Sequence, residues 1–281
     1  MGAISDGHLK KLLRKNFCDD RKIDPFDEKT WLRVSGLAGL CAREEALRVR
    51  LGVVRDDVVD ANLGLIFEHG HALHWVMQNK ILPELGVLYG RWLCGCCGSY
   101  FGGADEWMLP LSGDFFDSQI LRPQRCVVCG VSMTHENSLY KEQWIKDPTH
   151  RIAGHPDGFL RLDGMDGMGI LEIKSINSRG ARDVRNCAKL DHVTQLQCYM
   201  WMVVARWGKI LYWDKGTVGL RGLIEHVVEY DDDHVGVIRK HICDVWDGIE
   251  GGKLPDPICV SSDCKRARAC SVVDSCFGVA L

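Results

Sequence analysis

No stretch of this sequence approaches the roughly 20 continuous apolar residues that a membrane-crossing helix needs. Its opening, MGAISDGHLKKLLRKNF, lacks the apolar core of a secretory leader. It also misses a myristoylation site, because Asp6 stands where Ser or Thr is expected. These absences predict a soluble, intracellular chain without a membrane partner. Repeats and low-complexity tracts are missing. So is a G-x-x-x-x-G-K-[ST] phosphate loop, so any unwinding of nucleic acid needs a separate helicase or recombination partner. An excess of positive charge is lacking too: 35 Lys and Arg stand against 38 Asp and Glu, for a net charge of -3. That excludes a basic surface spread over the whole protein, but not positive charge confined to a groove.

What the sequence has in quantity is apolar residues and cysteine. Of 281 residues 46% are hydrophobic, enough to bury the core of one large domain or two small ones. Fourteen cysteines are a heavy load for a reducing compartment, where clustered thiols point to metal rather than to disulfides. Five fall between 94 and 129 and four between 259 and 276. Cys18, Cys41, Cys187, Cys198 and Cys243 stand alone. Of these, Cys18, Cys187, Cys198 and Cys243 read as ordinary buried thiols.

Periodicity divides the chain into four parts. Residues 1–89 are helical, with helices expected over 30–50 and 62–82. The second places Leu65, Ile66, His69, Leu73, Val76, Met77 and Ile81 at helical spacing. Residues 90–150 are rich in Gly, Cys and aromatics without a clear period. They read as an insertion ordered by metal rather than by a hydrophobic core. Residues 151–250 turn to β and α. GHPDGFLRLD and MGILEIKSI are strand-like, 188–207 is a helix, KILYWDK and LIEHVVEY are strands, and 233–249 is a helix. Residues 251–281 form a cysteine-rich tail. The element order predicts an α/β domain with a mixed central β-sheet flanked by helices.

Asp157 ends a strand-like segment in a turn that exposes it. Glu172 and Lys174 lie two apart on a strand that is apolar on both faces, so both project from one face that is otherwise core. Burying them is costly unless they pair or bind a metal. Two carboxylates suit a hard divalent ion, and such an ion activates water and stabilises phosphate oxygens during phosphodiester hydrolysis. Lys174 would orient the water or neutralise the phosphate. A structural ion pair with a plain turn aspartate accounts for the same three residues.

GHPDG followed by ILEIKS resembles the PD-(D/E)XK nuclease superfamily. Gln195-Leu196-Gln197-Cys198-Tyr199 and Gly70-His71-Ala72-Leu73-His74 resemble the Q-x-x-x-Y and G-x-x-x-H motifs of its RecB-like branch. The resemblance spans roughly residues 60–250 and implies a restriction-endonuclease-like core. It implies Mg²⁺ or Mn²⁺ held by His74, Asp157, Glu172 and the main-chain carbonyl of Ile173. Lys174 becomes the catalytic lysine, and Gln195 and Tyr199 position DNA or that lysine. His71 competes with His74, which fits the spacing after Gly70; Glu68 is a weaker candidate. The implied activity is a DNA nuclease in recombination, repair or DNA processing, acting as an exonuclease on ends or single strands. A site-specific endonuclease and a non-catalytic DNA-binding or assembly module of the same fold are the alternatives.

Cys94-x-x-Cys97 and Cys126-x-x-Cys129 have the spacing of two zinc knuckles, and together they predict a four-cysteine Zn²⁺ ribbon. Cys96 is able to replace Cys94 or Cys97. In the tail, similarity to AddB-type and CRISPR-associated nucleases implies a [4Fe–4S] cluster on Cys41, Cys259, Cys270 and Cys276, with Cys264 as the alternative. A second zinc is the other choice there. The tail departs from the related pattern, because it contains no C-x-x-C. Lys265, Arg266 and Arg268, and Arg179, Arg182 and Arg185, suit either phosphate contacts or a solvated surface.

Overall fold

The computed structural model describes residues 31–53, 61–111 and 115–278. Asp6, Cys18 and the start of the helix expected from residue 30 lie outside them. In chain order the first strands are β1 (Leu32–Arg33), β2 (Leu88–Tyr89), β3 (Arg91–Cys94), β4 (Tyr100–Phe101), β5 (Glu106–Met108) and β6 (Ser138–Lys141). They are followed by β7 (Trp144–Asp147), β8 (Ile152–Gly154), β9 (Gly158–Leu160), β10 (Gly169–Ile176), β11 (Trp207–Asp214) and β12 (Leu223–Glu229). The helices are α1 (Ala42–Leu51), α2 (Ala61–Val76), α3 (Leu82–Glu84), α4 (Ser178–Asp183), α5 (Leu190–Val203), α6 (Asp232–Ile249) and α7 (Val273–Phe277).

The central sheet has the order β12-β11-β10-β9-β2. β10 and β11 run parallel, and the other neighbours run antiparallel. The fold is therefore mixed α/β, as the element order predicts. Two parallel neighbours need a crossover, which α4 and α5 provide. Asn177 caps α4 by accepting the Gly180 N–H at 2.8 Å.

β10 shows why the site forms where it does. Ile170 and Ile176 pack with Leu196, Met200, Ile210 and Tyr212 in the core that α5 helps to build. Leu171 and Ile173 pack with Met77, Leu88, Trp92 and Tyr140 in a second core. Strand alternation then sets Glu172 and Lys174 on the α5 side. Fully burying each large apolar side chain contributes roughly 1.5–3 kcal/mol, so this register holds the two charges where they are.

Three expectations need correction. Residues 31–50 are not one helix. Leu32–Arg33 pairs in parallel with Ile152–Ala153, Val34–Gly39 is a 3₁₀ turn, and only Ala42–Leu51 is α-helical. Gly36 and Gly39 weaken helix in the first half. Residues 90–150 are not ordered by cysteines alone. Phe115 and Ile145 enter the first core, and Trp92, Met133 and Tyr140 enter the second. Their strands are two to four residues long and pair with distant segments, which leaves no period in the sequence. The apolar face of α2 also differs from expectation. Leu65 and Ile66 are exposed, and tight packing begins at Met77, where the helix widens into a π-turn over Met77–Ile81. No described helix is long and apolar enough to cross a membrane.

Candidate active site

Pairing of β9 with β10 stops at Gly158 opposite Leu171. Asp157, the preceding residue, is buried rather than exposed by its turn, and its side chain reaches back to β10. Its Oδ2 accepts the Ile173 N–H at 2.5 Å, replacing the missing strand partner. Lys174 Nζ bonds Glu172 Oε1 at 2.6 Å and Gln195 Oε1 at 2.9 Å. Gln195 and Tyr199 share a face of α5, being four apart. Tyr199 is buried against β8, where an added Cβ on Gly154 would lie 2.7 Å from its hydroxyl. Only a glycine admits the ring there.

α2 brings in His74, whose Nδ1 lies 3.2 Å from Asp157 Oδ1. Gly70, one turn earlier, faces β10: a Cβ there would meet Ser175 Oγ at 3.4 Å. The pair explains why a glycine and a histidine sit four apart. His71 is largely exposed at the rim of the same pocket, 3.9 Å from Glu68, and is not among the ligand atoms that converge on Asp157.

Sequence reasoning missed three further residues, Glu142, Gln78 and His155. Glu142, between β6 and β7, accepts Gln78 Nε2 on Oε1 at 2.7 Å and meets His155 Nδ1 with Oε2 at 2.7 Å. Gln78 also donates to the Asp157 carbonyl at 2.8 Å. Ligand atoms of His74, Glu142 and Asp157 all lie within 4.8 Å of one another, close enough to share one ion. Nothing near Glu142 in sequence signals this, because its partners come from 64 and 13 residues away. These groups line a cavity of about 440 Å³ together with Trp75, Asn79 and Tyr140.

The electrostatics fit a cation. Burial and the Asp157 charge push the Glu172 carboxyl up to about 7, against the pull of Lys174. Burial opposes charge on His74, yet Asp157, Glu142 and Glu172 outweigh it and raise the imidazole to about 9. Burial would also raise Asp157, but His74, the Ile173 N–H and Lys174 hold it below the usual carboxylate range. Glu172 Oε2 is buried with no hydrogen-bond partner, and an orphaned carboxylate oxygen there costs free energy that a divalent ion removes.

A second cluster lies at the far end of the β3–β6 ladder. The sulfurs of Cys94, Cys97, Cys126 and Cys129 lie within 4.8 Å of one another, a donor set compatible with zinc. The two knuckles match. Gly98 N–H bonds the Cys94 carbonyl at 2.9 Å, and Gly130 N–H bonds that of Cys126 at 2.8 Å. Cys96 is exposed and outside the group. In the tail, Cys41, Cys259, Cys270 and Cys276 line one small cavity, while Cys264 does not line it. Arg266 and Arg268 bond the carbonyls of Gly39 and Asp263, so both tie down local backbone. Cys198 is buried as expected, but Cys187 and Cys243 are exposed. Cys187 precedes α5 in a loop, and Cys243 lies on the outer side of α6.

No protein-family model matches this sequence, and no curated protein matches it. Similar solved structures include a protein designated SSO0001, with a TM-score of 0.39 and 15% identity over 90% of this chain and 89% of that one. An alkaline exonuclease from Laribacter hongkongensis, LHK-Exo, gives a TM-score of 0.42 and 12% identity over 85% of this chain and 92% of that one. The same enzyme in complex with dAMP gives 0.43 and 14% over 79% and 89%. Likenesses this distant leave family and activity to be argued from the residues.

Proposed function

We propose that this chain is a divalent-metal-dependent DNA nuclease. One observation carries the reading. Asp157, Glu172 and Lys174 are drawn to one buried point beside His74, with a carboxylate oxygen left unpartnered. Lys174 and His74 balance part of this buried charge, and a divalent ion would satisfy the carboxylate oxygen they leave unpartnered. Oxygen and imidazole donors suit Mg²⁺ or Mn²⁺. His74, Asp157 and Glu172, with the Ile173 carbonyl, are the residues that would hold it. When bound, the ion supplies concentrated positive charge against the scissile phosphate. Glu172 and Gln195 hold Lys174 Nζ at a fixed point, where its charge stabilises phosphate oxygens or orients the attacking water. Gln195 ties α5 to Lys174 of β10, and Tyr199 seats α5 against Gly154 of β8.

Exonuclease action on free ends or single strands is the favoured mode, and processing, repair or recombination of DNA the favoured role. End-labelled linear DNA and closed circular DNA, incubated with purified protein and Mn²⁺, separate the modes. Mononucleotides from linear DNA alone fit an exonuclease, and discrete fragments from circles fit a site-specific endonuclease. If neither substrate changes, the nuclease reading fails.

The tail cysteines hold a [4Fe–4S] cluster on this reading. Four of them line one cavity, yet among the described residues no three tail sulfurs converge as the ribbon's four do. A cubane with one thiolate per iron wants them further apart than a single zinc does. Anaerobic purification followed by a visible spectrum and iron analysis tests this. A colourless, iron-free protein contradicts it.

A further inference from the structure

We propose that Glu142 is an additional ligand of the active-site metal, supplied from outside the strand motif and aimed by Gln78 and His155. The inference rests on the metal-dependent reading of the site above. Glu142 belongs to the cysteine-bearing segment, not to the β9–β10 strands that carry Asp157 and Glu172.

Four observations lead there. The ligand atoms of Glu142, His74 and Asp157 lie within 4.8 Å of one another, whereas Glu172 spends Oε1 on Lys174. Gln78 ties Glu142 and the Asp157 backbone to one amide nitrogen, at 2.7 and 2.8 Å. That ties the Glu142 carboxylate to the backbone that carries Asp157. His155 holds the other Glu142 oxygen, and its ring is set edge-on against Trp144 at 4.9 Å between centroids. Each carboxylate oxygen has two acceptor sites, so both bonds leave a lone pair free for an ion. Finally, Glu172 Oε2 is buried without a hydrogen-bond partner, and the Glu172 carboxylate feels the Asp157 charge, so the pocket carries more negative charge than the triad alone. Orientation of a ligand by hydrogen-bonding neighbours is what metal sites require.

The site then has four candidate side chains instead of three. His74, Glu142 and Asp157 form one set, and Asp157 with Glu172 the other, sharing the aspartate. These four side chains would hold the divalent ion on which the proposed hydrolysis depends.

The test reads metal binding, not cleavage. Mn²⁺ binding to the full chain is followed by calorimetry and by the electron spin resonance of free Mn²⁺. We compare wild type, Glu142→Gln and Glu136→Gln, the last exposed on the same segment. Glu142→Gln should weaken Mn²⁺ at least about tenfold, with Glu136→Gln unchanged. Equal affinity in a folded Glu142→Gln overturns the assignment. Should that variant not fold, wild-type crystals soaked in Mn²⁺ decide. An anomalous peak bonded to Glu142 supports the ligand, and ions bonded only to Asp157 and Glu172 overturn it. Mn²⁺ bound through Glu142 in a protein that leaves DNA intact would contradict the nuclease reading and leave this one standing.

Discussion

In the absence of a divalent ion, His74 is a proton store, and its effect on stability has a calculable sign. The imidazole is raised from 6.5 to about 9, so its folded-state value lies above its unfolded one. Its stabilisation is therefore fully present below pH 6.5 and is lost as pH climbs through 9. Each pKa unit is worth about 1.4 kcal/mol, which bounds the effect near 3 kcal/mol. The side chain is 27% exposed and shares Asp157 with other partners, so we expect about 1–2 kcal/mol after screening. Glu172, raised to about 7, acts in the same direction but over a lower window, fully present below 4.5 and lost through 7. Cys97, lowered to about 6, also gives a pH dependence between 7 and 9, and comparison with His74→Ala removes that contribution. Urea unfolding of wild type and His74→Ala is measured across this range at constant ionic strength, without divalent ions or chelator. Wild type should lose about 1–2 kcal/mol more than the variant as pH rises. Parallel curves would refute the His74–Asp157 ion pair. A metal must displace the same proton, so Mn²⁺ affinity of wild type should rise about tenfold per pH unit through this window, and that of His74→Ala much less.

Other expectations follow from single residues. Val204 ends α5 with φ 59 and is 83% exposed, a left-handed position that costs a β-branched residue roughly 1–2 kcal/mol. Val204→Gly should raise stability by about 1 kcal/mol in thermal melts; a lower melting point would show that the strain is not there. Gly154→Ala places a methyl 2.7 Å from the Tyr199 hydroxyl. It should cost about 1–3 kcal/mol by overpacking, and wild-type melting would mean the contact yields freely. Cys126→Ser should abolish bound zinc on elemental analysis. It should also weaken Mn²⁺ binding, because β6 leads into Glu142 and pairs with β3, Cys94 opposite Ser138. Unchanged Mn²⁺ affinity in the zinc-free protein would uncouple the two sites.

How much of this was legible in the sequence depended on period and proximity. β10, β11 and α6 lie close to where apolar patterning puts them, because α6 buries one apolar face in the first core and the two strands bury one face in each core. Asp157, Glu172 and Lys174 stand out by their place on and beside an apolar strand, Gln195 and His74 only through the family resemblance, and the structure brings all five to one place. Glu142 does not stand out, since it has no partner within a strand or helix repeat of itself. The split of 31–50 was equally hidden, because β1 exists only through its pairing with β8. The aromatics of 90–150 show in composition but not in period, because their burial depends on strands far along the chain. Similarly, apolar spacing in α2 suggested a buried face. Only its Gly70 and His74 side is held against the sheet.

The central claim is that the buried acidic pair and its lysine hydrolyse phosphodiesters. Initial rates on a labelled single-stranded oligonucleotide, with Mn²⁺ at saturation, test it most directly across wild type, Glu172→Gln and Lys174→Ala. The account predicts cleavage by wild type that stops when the divalent ion is withheld, and rates at least about 100-fold lower in each variant. An intact oligonucleotide with wild type, or a Glu172→Gln protein that cuts as fast, would contradict it.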